Sequence, residues 1–321
     1  MKKSMQAFKG GYKLLNRRRF LNFTAKAVTG AAIYSMAPTT LLGAGKKNET
    51  HITLLHTNDL HSRIDPFPAN DKKYPGQGGI AKRATILQNI KKENPNMLLV
   101  DCGDILQGTP YFNFYEGEIE FKLMDKMNYH AATIGNHDFD AGIDRLASLI
   151  KSAKFKMLNA NYNVADTPLN GLVKPYEIYQ YEDVKVGVLG IGLQLDGLVP
   201  PKLYGKTLYQ NPIEKANETA AILKHDLGCD LVIVLSHLGY KYNTNKVSDV
   251  VMAQNSKDID VILGGHTHTF MDVPDVVENQ NGNPVIVNQV GWGGVCIGRL
   301  DFYFSKSKKN KRLISNTLTI A

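Results

Sequence analysis

The chain is expected to be an α/β protein made of layered sheets and helices. Three features predict this. Short β-rich runs alternate with helical patterns from residue 52 onward, no internal repeat or low-complexity linker breaks that alternation, and polar clusters recur just beyond the apolar runs. One domain over residues 50–321 is the simplest organisation for this length.

Residues 52–56 supply a first strand. Residues 79–92 read as a helix, because Ile80, Ala84, Leu87 and Ile90 recur on one face. The run 97–101 is almost wholly apolar, as a buried strand is, and 119–127 reads as a short helix. A strand at 131–134 is followed by a helix at 143–151. Further strands are expected at 157–160, at the Tyr-rich run 176–181 and at 185–191. Asn211-Pro212 places proline at an early helical position, so a helix should run from there to about residue 227. Buried strands at 231–235 and 260–263 flank a short helix, and 285–290, 295–304 and 313–320 should close the chain as an antiparallel group.

Charge excludes one function class. Residues 1–44 contain Lys2, Lys3, Lys9, Lys13, Arg17, Arg18, Arg19 and Lys26, with no Asp or Glu. Removing these 8 from the 38 basic residues leaves 30, against 30 acidic ones, so the net +8 resides wholly in this segment. A neutral body gives no basic groove for a nucleic-acid polymer. Lys306, Lys308, Lys309, Lys311 and Arg312 read as a solvated turn between two late strands. Residues 1–44 read as a targeting segment: Asn16-Arg17-Arg18-Arg19-Phe20-Leu21-Asn22 resembles the twin-arginine export motif. The apolar stretch after it, 27–42, is too short and too diluted to span a membrane. Periplasmic or exported location, with no membrane span after processing, is therefore expected. Cys102, Cys229 and Cys296, odd in number and unrelated in spacing, build neither a disulfide framework nor a zinc motif, and read as buried small hydrophobes.

The chemistry lies in five polar clusters, each at the C-terminal end of an expected strand. They are Asp59-Leu60-His61, Gly103-Asp104, Gly135-Asn136-His137-Asp138-Phe139-Asp140, Ser236-His237 and Gly265-His266-Thr267-His268. In α/β sheets ligands bind beyond the carboxyl ends of strands. Imidazole and carboxylate together suit Zn, Mn, Fe or Co, whereas an all-oxygen set suits Mg or Ca. Asp-x-His and His-x-His should place two ligands on one side of an extended segment, and the glycines before Asp104, Asn136 and His266 should let the backbone turn tightly. His51, His56, His130 and His225 read as ordinary core or surface histidines.

Those clusters, together with Leu55-His56-Thr57-Asn58-Asp59-Leu60-His61, resemble in order the motifs of the calcineurin-like metallophosphoesterases, most nearly the 5′-nucleotidase and UDP-sugar hydrolase branch. The resemblance covers roughly residues 50–305. It implies a four-layer α-β-β-α sandwich with a two-metal site at the strand ends. Asp59, His61, Asp104 and His268 would form the first site. Asp104, Asn136, His237 and His266 would form the second, with Asp104 bridging. Two such ions about 3.5–4 Å apart bind a hydroxide and clamp the phosphoryl oxygens during in-line attack. His137, oriented by Asp140, would contact the phosphoryl or leaving oxygen, with Asn136 also reaching the substrate. The implied activity is hydrolysis of small nucleotide-like phosphomonoesters.

Two departures qualify the branch. It usually carries Gln or Asn where His268 stands. Its enzymes also add a C-terminal domain that stacks the nucleobase, and this chain ends at Ala321, about where that domain begins, so a separate clamp protein is the expected partner. Tyr111, Phe112, Phe114 and Tyr115 read first as core or rim and second as a substrate or partner surface. Other readings are cyclic-nucleotide or UDP-sugar phosphodiesterase, a sulfur-oxidation-type dimanganese hydrolase, and a metal-stabilised binding module without turnover.

Overall fold

The computed structural model describes residues 49–308 and 311–321. The expected signal peptide, 1–44, lies outside the described residues. Fourteen strands are present among the described residues. They are β1 (Glu49–Thr57), β2 (Met97–Asp101), β3 (Ala131–Thr133), β4 (Lys156–Leu158), β5 (Tyr162–Asn163), β6 (Tyr176–Tyr181), β7 (Val184–Ile191), β8 (Leu208–Tyr209), β9 (Leu231–Ser236), β10 (Val261–Gly264), β11 (Asp275–Glu278), β12 (Pro284–Asn288), β13 (Cys296–Ser305) and β14 (Lys311–Thr319).

They form two six-stranded mixed sheets, ordered β14-β13-β1-β2-β3-β4 and β11-β12-β10-β9-β7-β6, with β5 and β8 as a separate pair. The central strands β1 to β4 run parallel, as do β7, β9, β10 and β12. Central parallel strands are buried on both faces, which is why they read as continuous apolar runs.

Side-chain alternation builds the layers. Leu54, Leu98 and Val100 of the first sheet pack against Val186, Val188, Ile233 and Leu263 of the second, forming a dry sheet-on-sheet core. Leu55, Leu99 and Met157 face the other way, onto Leu87 and Ile90 of helix Ile80–Glu93, Phe121 and Met124 of helix Glu118–Lys126, and Leu146 and Ile150 of helix Ile143–Ser152. Val232, Val234 and Ile262 likewise meet Ala216, Ala220, Val250 and Met252 from helices Pro212–Ala221 and Asp249–Gln254. The result is the expected α-β-β-α sandwich. Among the described residues no helix is long and apolar enough to cross a membrane.

Some expectations are corrected. The segment 285–290 does not close the chain with β13 and β14; β12 joins the second sheet, parallel to β10 and antiparallel to β11. Its alternating Val residues mark a half-buried strand but carry no information on which sheet takes it. The expected helix to residue 227 ends at Ala221 and widens into a π-turn, Ile222–Asp226. A short helix, Pro110–Tyr115, lies where only an aromatic cluster was noted. There Phe112 packs against the helical core, whereas Phe114 and Tyr115 are 80% and 49% exposed, so they do not belong to the core. With Tyr111 they line a groove of about 470 Å³ shared with Arg63 and Asp65. Cys102, Cys229 and Cys296 are all buried and free.

Candidate metal centre

All five polar clusters sit where β1, β2, β3, β9 and β10 end, on one edge shared by the two sheets. The loop after β1 is stitched to the loop after β2: the N–H groups of Asp59, His61 and Ser62 donate to the carbonyls of Gly103, Asp104 and Ile105 at 2.9–3.0 Å. The loop after β9 is held at its start by His237 N–H on the Ile191 carbonyl.

Two ligand clusters result, Asp59 with His61 and His268, and Asp104 with His237 and His266. Within each, the donor atoms lie within 4.8 Å of one another. His61 Nε2 and His268 Nε2 face each other at 3.0 Å, and His268 Nε2 is 3.3 Å from Asp59 Oδ1. In the second cluster His237 Nε2 is 3.0 Å from Asp104 Oδ2. Asn136 joins it through its Oδ1, which accepts from His266 Nδ1 at 2.9 Å. The clusters abut: Asp104 Oδ2 is also 3.9 Å from His61 Nε2, and Asp59 Oδ1 is 4.0 Å from His237 Nε2. All seven candidate ligands are therefore brought together, with the two carboxylates between the halves.

The geometry of convergence differs from expectation. Asp59 and His61 do not share the face of an extended segment. Asp59, His61, Asp104, His266 and His268 all have left-handed backbone, with φ between 49° and 73°. Non-glycine residues in that region carry strain, and such strain collects at functional sites. His266 and His268 consequently enter different clusters. The glycines also act differently from one another. Gly103 does supply a turn at φ 85°, but Gly135 is needed for close approach, since a Cβ there would lie 2.2 Å from Asp104 Oδ1.

The donor set fits divalent transition ions. His237 Nε2 is fully buried yet has no hydrogen-bond partner, because its short contact to Asp104 lacks hydrogen-bond geometry. A buried nitrogen and carboxylate facing without a good bond suit a shared ion. Burial pushes the pKa of His266 down to about 4, helped by neighbouring His237. Burial lowers that of His61 too, so both offer neutral lone pairs. For His237 burial works downward, but the Asp104 charge and contact prevail and push it up to about 10. Asp104 is correspondingly held below the usual carboxylate range: burial opposes this, and the His237 charge outweighs it. That proton is the one an ion would displace.

Outer contacts fix the ligands. His237 Nδ1 donates to the Cys102 carbonyl at 2.6 Å and His61 Nδ1 to the Gln107 carbonyl at 3.2 Å, which sets both tautomers with Nε2 toward the centre. Asp138 is fully buried and accepts backbone N–H groups from Asp104, Ile105, Leu106 and Gly135. Asn58 donates to Asp59 Oδ2 at 2.6 Å. Gln289 donates to the Gly265 carbonyl at 2.8 Å, and Trp292 stacks on His268 with ring centroids 5.6 Å apart. Sequence reasoning gave none of these four a role. Asn58 and Asp138 at least lie inside the polar motifs; Gln289 and Trp292 carry no local signal.

His137 lies beside the clusters, its ring 5.3 Å from that of His61. Its Nδ1 bonds Asp140 Oδ2 at 2.8 Å, which leaves Nε2 as the nitrogen available to a ligand. That bond raises the His137 pKa; burial opposes it, and Asp104 adds to it. His137 N–H also donates to Asp104 Oδ1 at 2.8 Å. The remaining histidines behave as ordinary ones. His56 is buried against Asn288, His51 bonds Asp301, His130 accepts from Leu99 N–H, and His225 pairs with Asp258.

The same architecture is found in known proteins. The calcineurin-like phosphoesterase family model matches residues 52–270. The chain is 34% identical over 294 residues to a snake venom 5′-nucleotidase of Naja atra, covering 84% of this chain and 53% of that one. The structure of a 5′-nucleotidase precursor from Thermus thermophilus superposes with a TM-score of 0.75 at 30% identity, over 84% of this chain and 54% of its own. That of Haemophilus influenzae NAD nucleotidase gives 0.74 at 28% identity, over 85% and 51%. The chain thus spans about half the length of these relatives. With the matched region running from β1 through the last candidate ligand, and the layers and strand-end site in the order that match requires, the chain belongs to the calcineurin-like phosphoesterases.

Proposed function

We propose that residues 50–321 are the catalytic domain of a metal-dependent phosphoesterase of the 5′-nucleotidase type, acting on nucleotide-like phosphomonoesters. The observation that carries this reading is the abutment of the two ligand clusters with the His137–Asp140 pair beside them. In this reading Asp59, His61, Asp104 and His268 hold one divalent ion and Asp104, Asn136, His237 and His266 the other, from the class Zn, Mn, Fe or Co. Such ions, when bound, supply Lewis-acid polarisation of the phosphoryl group and activation of water. The chain's own residues do the rest. Asn136 and His137 orient the phosphoryl oxygens. His137 gives a proton from Nε2 to the departing ester oxygen, and Asp140 keeps the ring protonated and aligned. Residues 1–44 act as a twin-arginine signal that delivers the domain to the periplasm.

The test is a phosphatase screen on metal-stripped and reconstituted protein, with nucleoside mono-, di- and cyclic phosphates, UDP-sugars and an aryl phosphate. Phosphate release from 5′-nucleotides that returns on adding Mn²⁺ or Zn²⁺ is expected. Failure of every phosphoester with both ions bound would refute the reading. For export, exchanging Arg17, Arg18 and Arg19 together for Lys should retain folded protein in the cytoplasm; unchanged periplasmic delivery contradicts the signal.

A further inference from the structure

Three polar side chains that the proposed chemistry does not use meet behind the ligand loop. Arg83 sits on helix Ile80–Glu93, Glu120 on helix Glu118–Lys126, and Ser62 follows His61. They are 1%, 4% and 1% exposed. Arg83 Nε and Nη1 are buried without a hydrogen-bond partner, and both carboxylate oxygens of Glu120 and Ser62 Oγ are buried without one of good geometry, although Ser62 lies within reach of the Glu120 carboxylate. All three residues line one small pocket of about 10 Å³, together with Arg63, whose Nε is also without a partner, and apolar side chains such as Leu60, Ile105 and Met124.

A guanidinium keeps its charge in any folded protein, and charged or polar groups are not stably buried bare. Native interiors resolve such clusters with internal water, and a cavity of this size admits the centre of about one water molecule. We infer that this cavity is an internal hydration site, in which one water bridges the Arg83 guanidinium, the Glu120 carboxylate and the Ser62 hydroxyl. The Ser62 hydroxyl faces the Glu120 carboxylate as a donor, and the water accepts from the guanidinium while donating to a carboxylate oxygen and to Ser62 Oγ.

The consequence for the metal centre is positional. Ser62 has left-handed backbone, φ 51°, immediately after His61, and its N–H is fixed on the Ile105 carbonyl at 2.9 Å. The bridge therefore ties two helices to the turn that aims His61 into its cluster. Arg83 and Glu120 act through that turn and are positioning residues. This inference rests on the reading of His61 as a ligand.

The experiment titrates the metal-stripped chain with Mn²⁺ alone by calorimetry and records Tm on the same samples. The variants are Ser62→Ala, Glu120→Gln, His61→Asn and the double variant Arg83→Met with Glu120→Met, which removes both charges together and keeps the test open if a single charge variant fails to fold. Ser62→Ala, Glu120→Gln and the double variant should bind Mn²⁺ about 10–100-fold more weakly at one site, the usual cost of losing an outer-shell support. The double variant should also recover Tm relative to Glu120→Gln. Lowered Tm with unchanged Mn²⁺ affinity in these variants, while His61→Asn loses binding, overturns the positioning role and leaves the metal reading intact. Unchanged affinity in His61→Asn as well overturns both.

Discussion

Asp138→Asn tests how the centre is held together, because it changes no volume. The Asp138 carboxylate accepts four buried backbone N–H groups. Oδ1 takes Ile105 N at 2.9 Å and Leu106 N at 3.2 Å; Oδ2 takes Gly135 N at 2.8 Å and Asp104 N at 3.1 Å. Asparagine keeps one carbonyl oxygen and turns an NH₂ group on the other pair, leaving two buried N–H donors facing a donor. Each orphaned donor costs about 1–3 kcal/mol, so the variant should lose about 2–6 kcal/mol. That is a large part of the roughly 5–15 kcal/mol that holds a typical domain folded. The damage falls on the loops that carry Asp104 and Asn136, so metal affinity should fall with stability. Urea unfolding of metal-stripped protein measures the first effect, provided the slope is unchanged, and calorimetric metal titration the second. A loss below about 0.5 kcal/mol, the ordinary scatter of a surface substitution, would refute the view that Asp138 pins the two loops.

Three further outcomes are expected. Asp104→Ala should abolish turnover and remove most of one or both ions, measured by metal analysis after dialysis, because Asp104 lies within reach of both clusters. Asp140→Asn removes the carboxylate charge that strengthens the hydrogen bond to His137 Nδ1 and raises the His137 pKa, leaving at most a neutral amide acceptor. In the proposed mechanism His137 acts in its protonated form, so activity is lost as pH rises through its pKa, and the alkaline limb of the rate profile should move to lower pH; an unmoved limb rules His137 out as the acid. His56 is wholly buried, and burial lowers its pKa from 6.5 to about 3. The unfolded chain then binds a proton that the native state excludes, so stability falls as pH drops below 6.5. At pH 4.5 the cost is about 2–3 kcal/mol, and the difference between wild type and His56→Leu in metal-stripped urea unfolding should show it; parallel pH curves would contradict it.

How much of this was legible in the sequence divides by the range of the cause. The central strands were, since burial on both faces leaves a continuous apolar run such as Leu98–Val100, and so were the positions of the candidate ligands, since each follows such a run. What escaped is set by partners distant in the chain. The pleat argument for Asp59 and His61 fails because their loop takes its shape from Gly103 and Asp104, which accept its N–H groups more than forty positions away. β12 pairs with β10 and β11 of the second sheet, and the segment that follows it crosses to the site, carrying Asn58's partner Gly291 and the stacking Trp292. Five candidate ligand residues in left-handed backbone cost on the order of 1–3 kcal/mol each, a preference that no local propensity expresses. The strain persists only where tertiary bonds over-determine it, and here those bonds are on hand: Gly293 N–H on the Asp59 carbonyl, His266 N–H on the Asp59 carboxylate and Gln289 on the Gly265 carbonyl. The candidate ligands were thus visible as types in a pattern, whereas the residues that force them into place became visible only once the chain had closed on itself.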